Sequence, residues 1–308
     1  MINKPTLSYY STQSNFSDPG KYQYLYTDLP KSIEDLCNIV HGLIVNPCDT
    51  KKLYGFMIDP EKYSIEANLH YIEDILAKIS MNDPSSLTTT RLPQKRIAGL
   101  CRHFALLLTS ILRYQGVPAR VRCGFEIYYN DSPPSEYLDH WVCQYWDNHE
   151  TQWQYVDPEV GLEEINAGKM ITTATKIPKG EYLTAGEVWQ LCRTGKMDPN
   201  NFSAPVPGIK GWWFIRANLL KDLANLNKLE LVPWDYTKFM DYQFESLNEL
   251  KPAEINLLDK LAELMVNEKF EEIQNLYQNN LQLQVKNQVY SYISEKPITT
   301  KIGEQVLV

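Results

Sequence analysis

No stretch of this sequence approaches the roughly 20 consecutive apolar residues that a membrane-spanning helix needs. The first twenty residues, MINKPTLSYYSTQSNFSDPG, lack a basic start leading into an apolar run, so no secretory signal is expected and the chain reads as cytoplasmic. There is no Cys-x-x-Cys pair either. Six cysteines (Cys37, Cys48, Cys101, Cys123, Cys143 and Cys192) lie singly along 308 residues, which argues against a dense disulfide framework and against structural zinc. Neither a metal nor another cofactor is expected. Basic excess is missing too: 30 Lys and Arg against 38 Asp and Glu give a net charge of -8. Nucleic-acid affinity depends on clustered positive side chains, so that class is disfavoured. Internal repeats and low-complexity tracts are absent.

What remains is a chain with 44% hydrophobic residues, long enough to bury a substantial core. A polar lead-in with a DPG turn is expected to be irregular. Ser32 to Val45 carries Ile33, Leu36, Ile39, Val40 and Leu43 at helical spacing, with Ser32 as N-cap, and Ile65 to Ile79 repeats the pattern. Pro84 to Pro93 reads as a loop, followed by a helix within GLCRHFALLLTSILRYQGVPARVRCGF, which runs from Gly99 to Phe125. After Gly116 the period changes from helical to alternating: Arg120–Tyr129, His140–Trp146 and Trp153–Pro158 read as an antiparallel meander. Further helices are expected at Ala185–Cys192, Phe214–Leu226 and Ala253–Asn267. This gives a helical lead-in over 1–90, a core over 91–165, and a mostly helical region over 166–308 integrated with the core.

Cys101 heads the helix of the quoted stretch. A thiol on a helix's first turn faces unpaired N–H groups and the positive end of the helix dipole, conditions that favour thiolate. Thiol catalysis also needs a base and a group that orients the base. The meander offers His140 in HWVCQYW and Asp157 in WQYVDP. If Trp146 pairs with Thr151 across a four-residue turn, His140 sits directly opposite Asp157 on one face of the sheet. A five-residue turn would send the two to opposite faces unless a bulge restored them.

GLCRHFALLLTSILRYQGVPARVRCGF, DHWVCQYW and WQYVDPE resemble the three core motifs of the transglutaminase-like superfamily: a Cys heading a helix that ends in a G-V/I-P-A-R turn, then His-x-W, then Asp-Pro. The resemblance covers about Leu92 to Glu159. LCRTGKMDPNNF and GWWFIRANLLKDLANLNKLELVPWD are also similar to a bacterial group of uncharacterised transglutaminase-like proteins. The resemblance implies Cys101 as nucleophile, His140 as general base and acid, and Asp157 as the residue orienting His140. It also implies an α+β fold of papain-like type, a central helix packed on an antiparallel sheet, with additional N- and C-terminal helices.

An oxyanion needs donors beside the nucleophile. The Cys101 N–H is one candidate and the Gln94 side chain, seven residues upstream, the other. Trp141, Trp146 and Trp153 are candidates for apolar cleft walls or plain core aromatics. His103 lies about 200° around the helix from Cys101 and is expected to face solvent or fill the core, and Cys123 and Cys143 to be packing. Trp212 and Trp213 are expected to seal a helical layer onto the core.

The expected activity is acyl transfer through a Cys101 thioester on a peptide or protein substrate. The resemblance implies that cross-linking members carry extra β-sandwich domains and calcium sites, and neither a further all-β region nor an acidic calcium loop is evident, so hydrolysis is favoured over cross-linking. The competing reading is a catalytically idle scaffold that binds a peptide or partner protein.

Overall fold

The computed structural model describes residues 4–129, 136–168, 173–175, 177, 180–241, 247–286, 288–291 and 300–301. The chain forms two compact units that do not follow its order: Met1–Val121 with Trp141–Pro178, and Arg122–His140 with Lys179–Val308. Two of the boundaries fall inside strands, so the backbone passes from one unit to the other in extended conformation.

In the first unit, α1 (Lys4–Tyr10), α2 (Ile33–His41), β1 (Ile44–Val45), α3 (Pro47–Tyr54), α4 (Pro60–Glu66), α5 (Ile72–Asn82) and β2 (Ile97–Ala98) precede α6 (Cys101–Tyr114). The lead-in is therefore partly helical. Ser32 caps α2 by accepting from the Asp35 N–H, and Leu36, Cys37 and Val40 are buried. The helix stops at His41 rather than running on to Val45, and Ile44–Val45 pairs in parallel with Ile97–Ala98. The Ile65–Ile79 stretch is likewise divided between the end of α4 and α5.

Every residue of α6 from Arg102 to Arg113 is buried. Its charged and polar members are tolerated because they reach backbone acceptors: Arg102 donates to the Leu69 and His70 carbonyls, and Arg113 to Ala119 O. Thr109 Oγ1 donates to Cys143 Sγ at 3.3 Å, which lays the helix on β4 (Tyr137–Asp147). The helix ends in a Schellman turn: Val117 N–H bonds Leu112 O, Gly116 N–H bonds Arg113 O, and Gly116 takes φ 78°. Pro118 then forbids continuation, and its carbonyl accepts from the Trp146 N–H. This turn delivers the chain into β3 (Ala119–Glu126). β5 (Gln152–Val156) pairs antiparallel with β4, and α7 (Leu162–Asn166) follows.

The second unit holds β6 (Tyr182–Thr184), α8 (Ala185–Arg193), β7 (Phe202–Ser203), α9 (Trp212–Leu226), β8 (Asp235–Tyr236), α10 (Pro252–Val266), α11 (Phe270–Asn279) and β9 (Gln288–Ser291). Gly124–Glu126 of β3 pairs antiparallel with β6, and β7 runs parallel to the start of β4. Thr184 and Glu187 form a reciprocal capping box at α8. Asp259 of α10 accepts from Trp189 Nε1 and from Arg193 of α8, and the Trp212 ring meets Trp189 edge-on at 5.5 Å. Among the described residues no helix is long and apolar enough to cross a membrane.

Helix α9 is buried on all faces from Phe214 onward, ionised groups included. Asp222 accepts from Arg122 Nε at 3.0 Å, Arg122 Nη2 at 2.8 Å and the Cys123 N–H at 2.9 Å. A buried pair of this kind is costly to break because one charge is then stranded. Asp222→Ala is expected to lower unfolding free energy by about 3–5 kcal/mol in a urea titration. The paired replacement of Arg122 by Met and Asp222 by Leu should cost far less, and equal losses for the two proteins would contradict this.

Candidate active site

The segment before α6 is held from two sides. Strand β2 pairs with β1, and the Ala98 N–H donates to Glu66 Oε2 at 2.7 Å. Glu66 is itself buried, with Lys62 at 3.8 Å and Lys78 at 3.6 Å. Leu100 occupies the N-cap position, where Ser, Thr or Asp would normally accept from the first turn. Here His103 reaches back instead: its Nδ1 accepts from the Leu100 N–H at 3.2 Å. That contact requires a bare Nδ1, and burial pushes the His103 imidazole well below its usual range, with Arg102 adding to the effect. His103 is therefore a neutral core residue that caps the helix, and no acidic side chain stands in the first turn.

Cys101 is the first residue of α6 and is partly exposed. The other thiols differ. Burial pushes Cys37 well up and raises Cys143 and Cys192 each to about 12. Cys123 is buried, and Cys48 is exposed on the first turn of α3, where Asn46 Oδ1 already accepts its N–H. Tyr63 lies within electrostatic reach of both Cys48 and Cys101, although burial is the larger reason its hydroxyl is raised.

His140 is buried in β4, its ring edge-on to Tyr128 at 6.0 Å and tilted to Tyr129 at 5.5 Å. The strand changes partner around it: Leu138 pairs with Ser203 of β7, while Cys143 pairs with Val156 of β5. Asp139 to Val142 lie between the two pairings. Burial raises the carboxyl of Asp139 to about 6, against the opposing pull of Lys221 and His140.

Asp157 is fully buried just beyond β5. The expected register is corrected here. Trp146 pairs with Trp153, not Thr151, so continuing the ladder would put Val142, not His140, across from Asp157. The turn still has four residues but sits one position later, because Asp147 stays in the strand and accepts from the N–H groups of His149 and Glu150. Asp157 has also left the ladder: its N–H donates to Ala174 O, and its Oδ1 accepts from the Glu159 N–H at 3.0 Å.

That short turn brings in a residue the sequence reading did not single out. Glu159 is buried, and a carboxylate oxygen of it lies within 4.8 Å of Cys101 Sγ. Asn46 Nδ2 donates to Glu159 Oε1 at 2.6 Å, and His41 Nδ1 lies 3.1 Å from the Glu159 carbonyl. His41 Nε2 meets Glu163 at 3.1 Å and Glu164 at 3.4 Å, a trio whose spacing also suits a cation. The ring packs so closely on Gly161 that a Cβ there would come within 2.3 Å of Nε2. The clue in the sequence was an acidic residue two positions after Asp157.

The remaining candidates are placed as follows. Gln94 is exposed on a turn over Pro93–Lys95, and its carbonyl accepts from Lys62 Nζ. Trp141 is buried. Trp146 and Trp153 form an edge-on cross-strand pair at 5.7 Å, and Arg120 lies 4.1 Å above the Trp153 ring.

Residues 59–158 match the model of the transglutaminase-like superfamily. The matched segment contains Cys101, His140 and Asp157. A solved protein from Cytophaga hutchinsonii, provisionally assigned as a cysteine protease, is similar over 57% of this chain at 15% identity and a TM-score of 0.31. This chain covers 48% of that protein, about half its length. No curated protein is significantly similar to it.

A carboxyl raised on folding is a carboxylate that the folded state disfavours. Asp139 should therefore cost stability as pH rises from about 4 through about 6, and cost nothing extra below that window. Denaturation of Asp139→Asn is expected to show higher stability than the parent at pH 7 and equal stability near pH 4. The same offset at both pH values would contradict this.

Proposed function

We propose that the protein is a thiol-dependent acyl-transfer enzyme acting on peptide or amide substrates, and that water is its normal acyl acceptor. The supporting observation is the position of Cys101: a partly exposed thiol on the first turn of a helix that is buried from Arg102 to Arg113 and carries no acidic side chain in that turn.

In this reading Cys101 Sγ gives its proton to His140 and attacks the amide carbonyl carbon. The C–N bond breaks as His140 returns the proton to the departing amine, leaving a thioester on Cys101. His140 then takes a proton from water, the hydroxide adds to the thioester, and the thiol is regenerated with release of a carboxylic acid. Asp157 holds the imidazole in the tautomer this shuttle requires. The Cys101 N–H is the proposed oxyanion donor.

Iodoacetamide at mildly acidic pH, with the labelled cysteine identified by peptide mass spectrometry, tests the nucleophile. Cys101 should alkylate at least tenfold faster than a model thiol and than Cys48, and His140→Ala should remove the excess. Equal rates would sink the reading and favour an idle binding scaffold. With a glutamine-peptide library, hydrolysis predicts ammonia release without incorporation of an added amine.

A further inference from the structure

The proposed chemistry uses none of His41, Glu163 and Glu164, yet an imidazole nitrogen and two carboxylate oxygens from them lie within 4.8 Å of one another. His41 ends α2, and the two acids stand in the first turn of α7. Glu163 is 122 residues from His41, so no local motif announces the grouping. His41 and Glu164 are buried, whereas the Glu163 side chain is 42% exposed and opens the trio to solvent. The imidazole is held in one orientation. Its Nδ1 lies 3.1 Å from the Glu159 carbonyl, which only accepts, so Nδ1 carries the proton there. Gly161 packs against the same ring so closely that any side chain at that position would collide with it. Nε2 is thereby aimed at Glu163 Oε2, 3.1 Å away, and Glu164 Oε2, 3.4 Å away. A backbone carbonyl on one ring nitrogen is the support that metal-bound histidines receive, because it fixes the tautomer that bares the other nitrogen.

We infer that His41, Glu163 and Glu164 form a binding site for one divalent cation of the zinc class, which staples α2 to the turn between β5 and α7. The distances favour this. Zinc bonds imidazole nitrogen and carboxylate oxygen at about 2.0–2.2 Å, so atoms sharing one ion lie about 3.0–3.5 Å apart at octahedral or tetrahedral angles. Both nitrogen–oxygen separations fall in that range. With Nδ1 protonated, a neutral His41 turns a lone pair on two carboxylate oxygens, and a positive centre belongs between them. A proton on Nε2 points along one line, whereas a metal ion serves all three atoms. Neighbouring groups leave the inward oxygens able to bind. Arg96 Nη2 lies 3.6 Å from Glu163 Oε1 rather than Oε2, and the Gly161 N–H, at 3.1 Å, takes one of the two lone pairs of Glu164 Oε2. Two carboxylates balance the charge of a divalent ion, and the nitrogen donor favours zinc over magnesium or calcium, which take oxygen shells. As the metal–nitrogen bond forms, any proton on Nε2 leaves to solvent, and water completes the coordination on the exposed side of Glu163. The site does not depend on the proposed role of Cys101.

Cys48 and Cys101 are accessible thiols that bind zinc in their own right, so the test uses the full chain with both blocked by iodoacetamide. After metal is stripped with EDTA and the chelator dialysed away, calorimetric titration with zinc chloride should show about one ion bound per chain, with affinity at least about tenfold lower in Glu163→Gln. That substitution removes a charge at an exposed position and leaves Glu164, which also holds the Gly161 N–H, in place. Cobalt chloride in place of zinc should give visible ligand-field absorption without the strong charge-transfer band of a cobalt–thiolate bond. Excess zinc should raise the urea midpoint of the parent and leave that of Glu163→Gln unchanged. Glu163→Ala gives a second route, and the parent titration and cobalt spectrum stand even if both variants fail to fold. Failure of the blocked parent to bind zinc overturns the inference and leaves the trio as an ion pair between protonated His41 and its carboxylates. Undiminished binding in a folded Glu163→Gln, or a thiolate band in the cobalt spectrum, puts the metal elsewhere and overturns it as well.

Discussion

A helix buried from Arg102 to Arg113 needs acceptors for the amide groups at its start, and at α6 the Leu100 N–H finds one without a polar side chain at the N-cap. An ordinary cap would put Ser, Thr or Asp at position 100, with its oxygen turned into the first turn. Leu100 stands there instead, and a buried neutral imidazole three residues on takes the Leu100 N–H. A charged His103 would set a cation against the positive end of the helix, so burial and the local field favour the same neutral form. Cys101, the first residue of the helix, is partly exposed beside this cap.

The support for this seat comes from chain far away in sequence. Glu66 receives the Ala98 N–H, and β1 flanks β2, so the two residues before Gly99 are fixed by the first hundred residues. The same region anchors the turn after β5: His41 and Asn46 hold Glu159, and Glu159 in turn closes onto Asp157. Buried polar groups of this kind are costly unless every partner is present, which binds the N-terminal helices to the site as a structural requirement.

The start of α6 at Cys101, the turn at Gly116 to Pro118 and the extents of α8, α9 and α10 were legible to within two residues. Each has a local cause, whether apolar spacing, a Gly-Val-Pro sequence or a Thr-x-x-Glu box. The hairpin register was not legible, because it depends on whether Asp147 enters the turn or stays in the strand, and on Thr151 adopting φ 50°. Composition does not announce that choice. The break of the Ser32–Val45 stretch at His41 escaped for a related reason: Ile44 and Val45 suit a helix as well as a strand, and β2, fifty residues later, decides between them. Glu159 was passed over because its partners, Asn46 and His41, are more than a hundred residues upstream.

The account stands or falls on an acyl group travelling through Cys101. Mixing the protein with p-nitrophenyl acetate and following nitrophenolate release, with intact and peptide mass spectrometry on quenched samples, tests it directly. The account predicts a burst of about one equivalent per chain and an acetyl group on the peptide containing Cys101, both lost in Cys101→Ala. Steady release without a burst, or an acetyl group found only on Cys48 or a lysine, would contradict it.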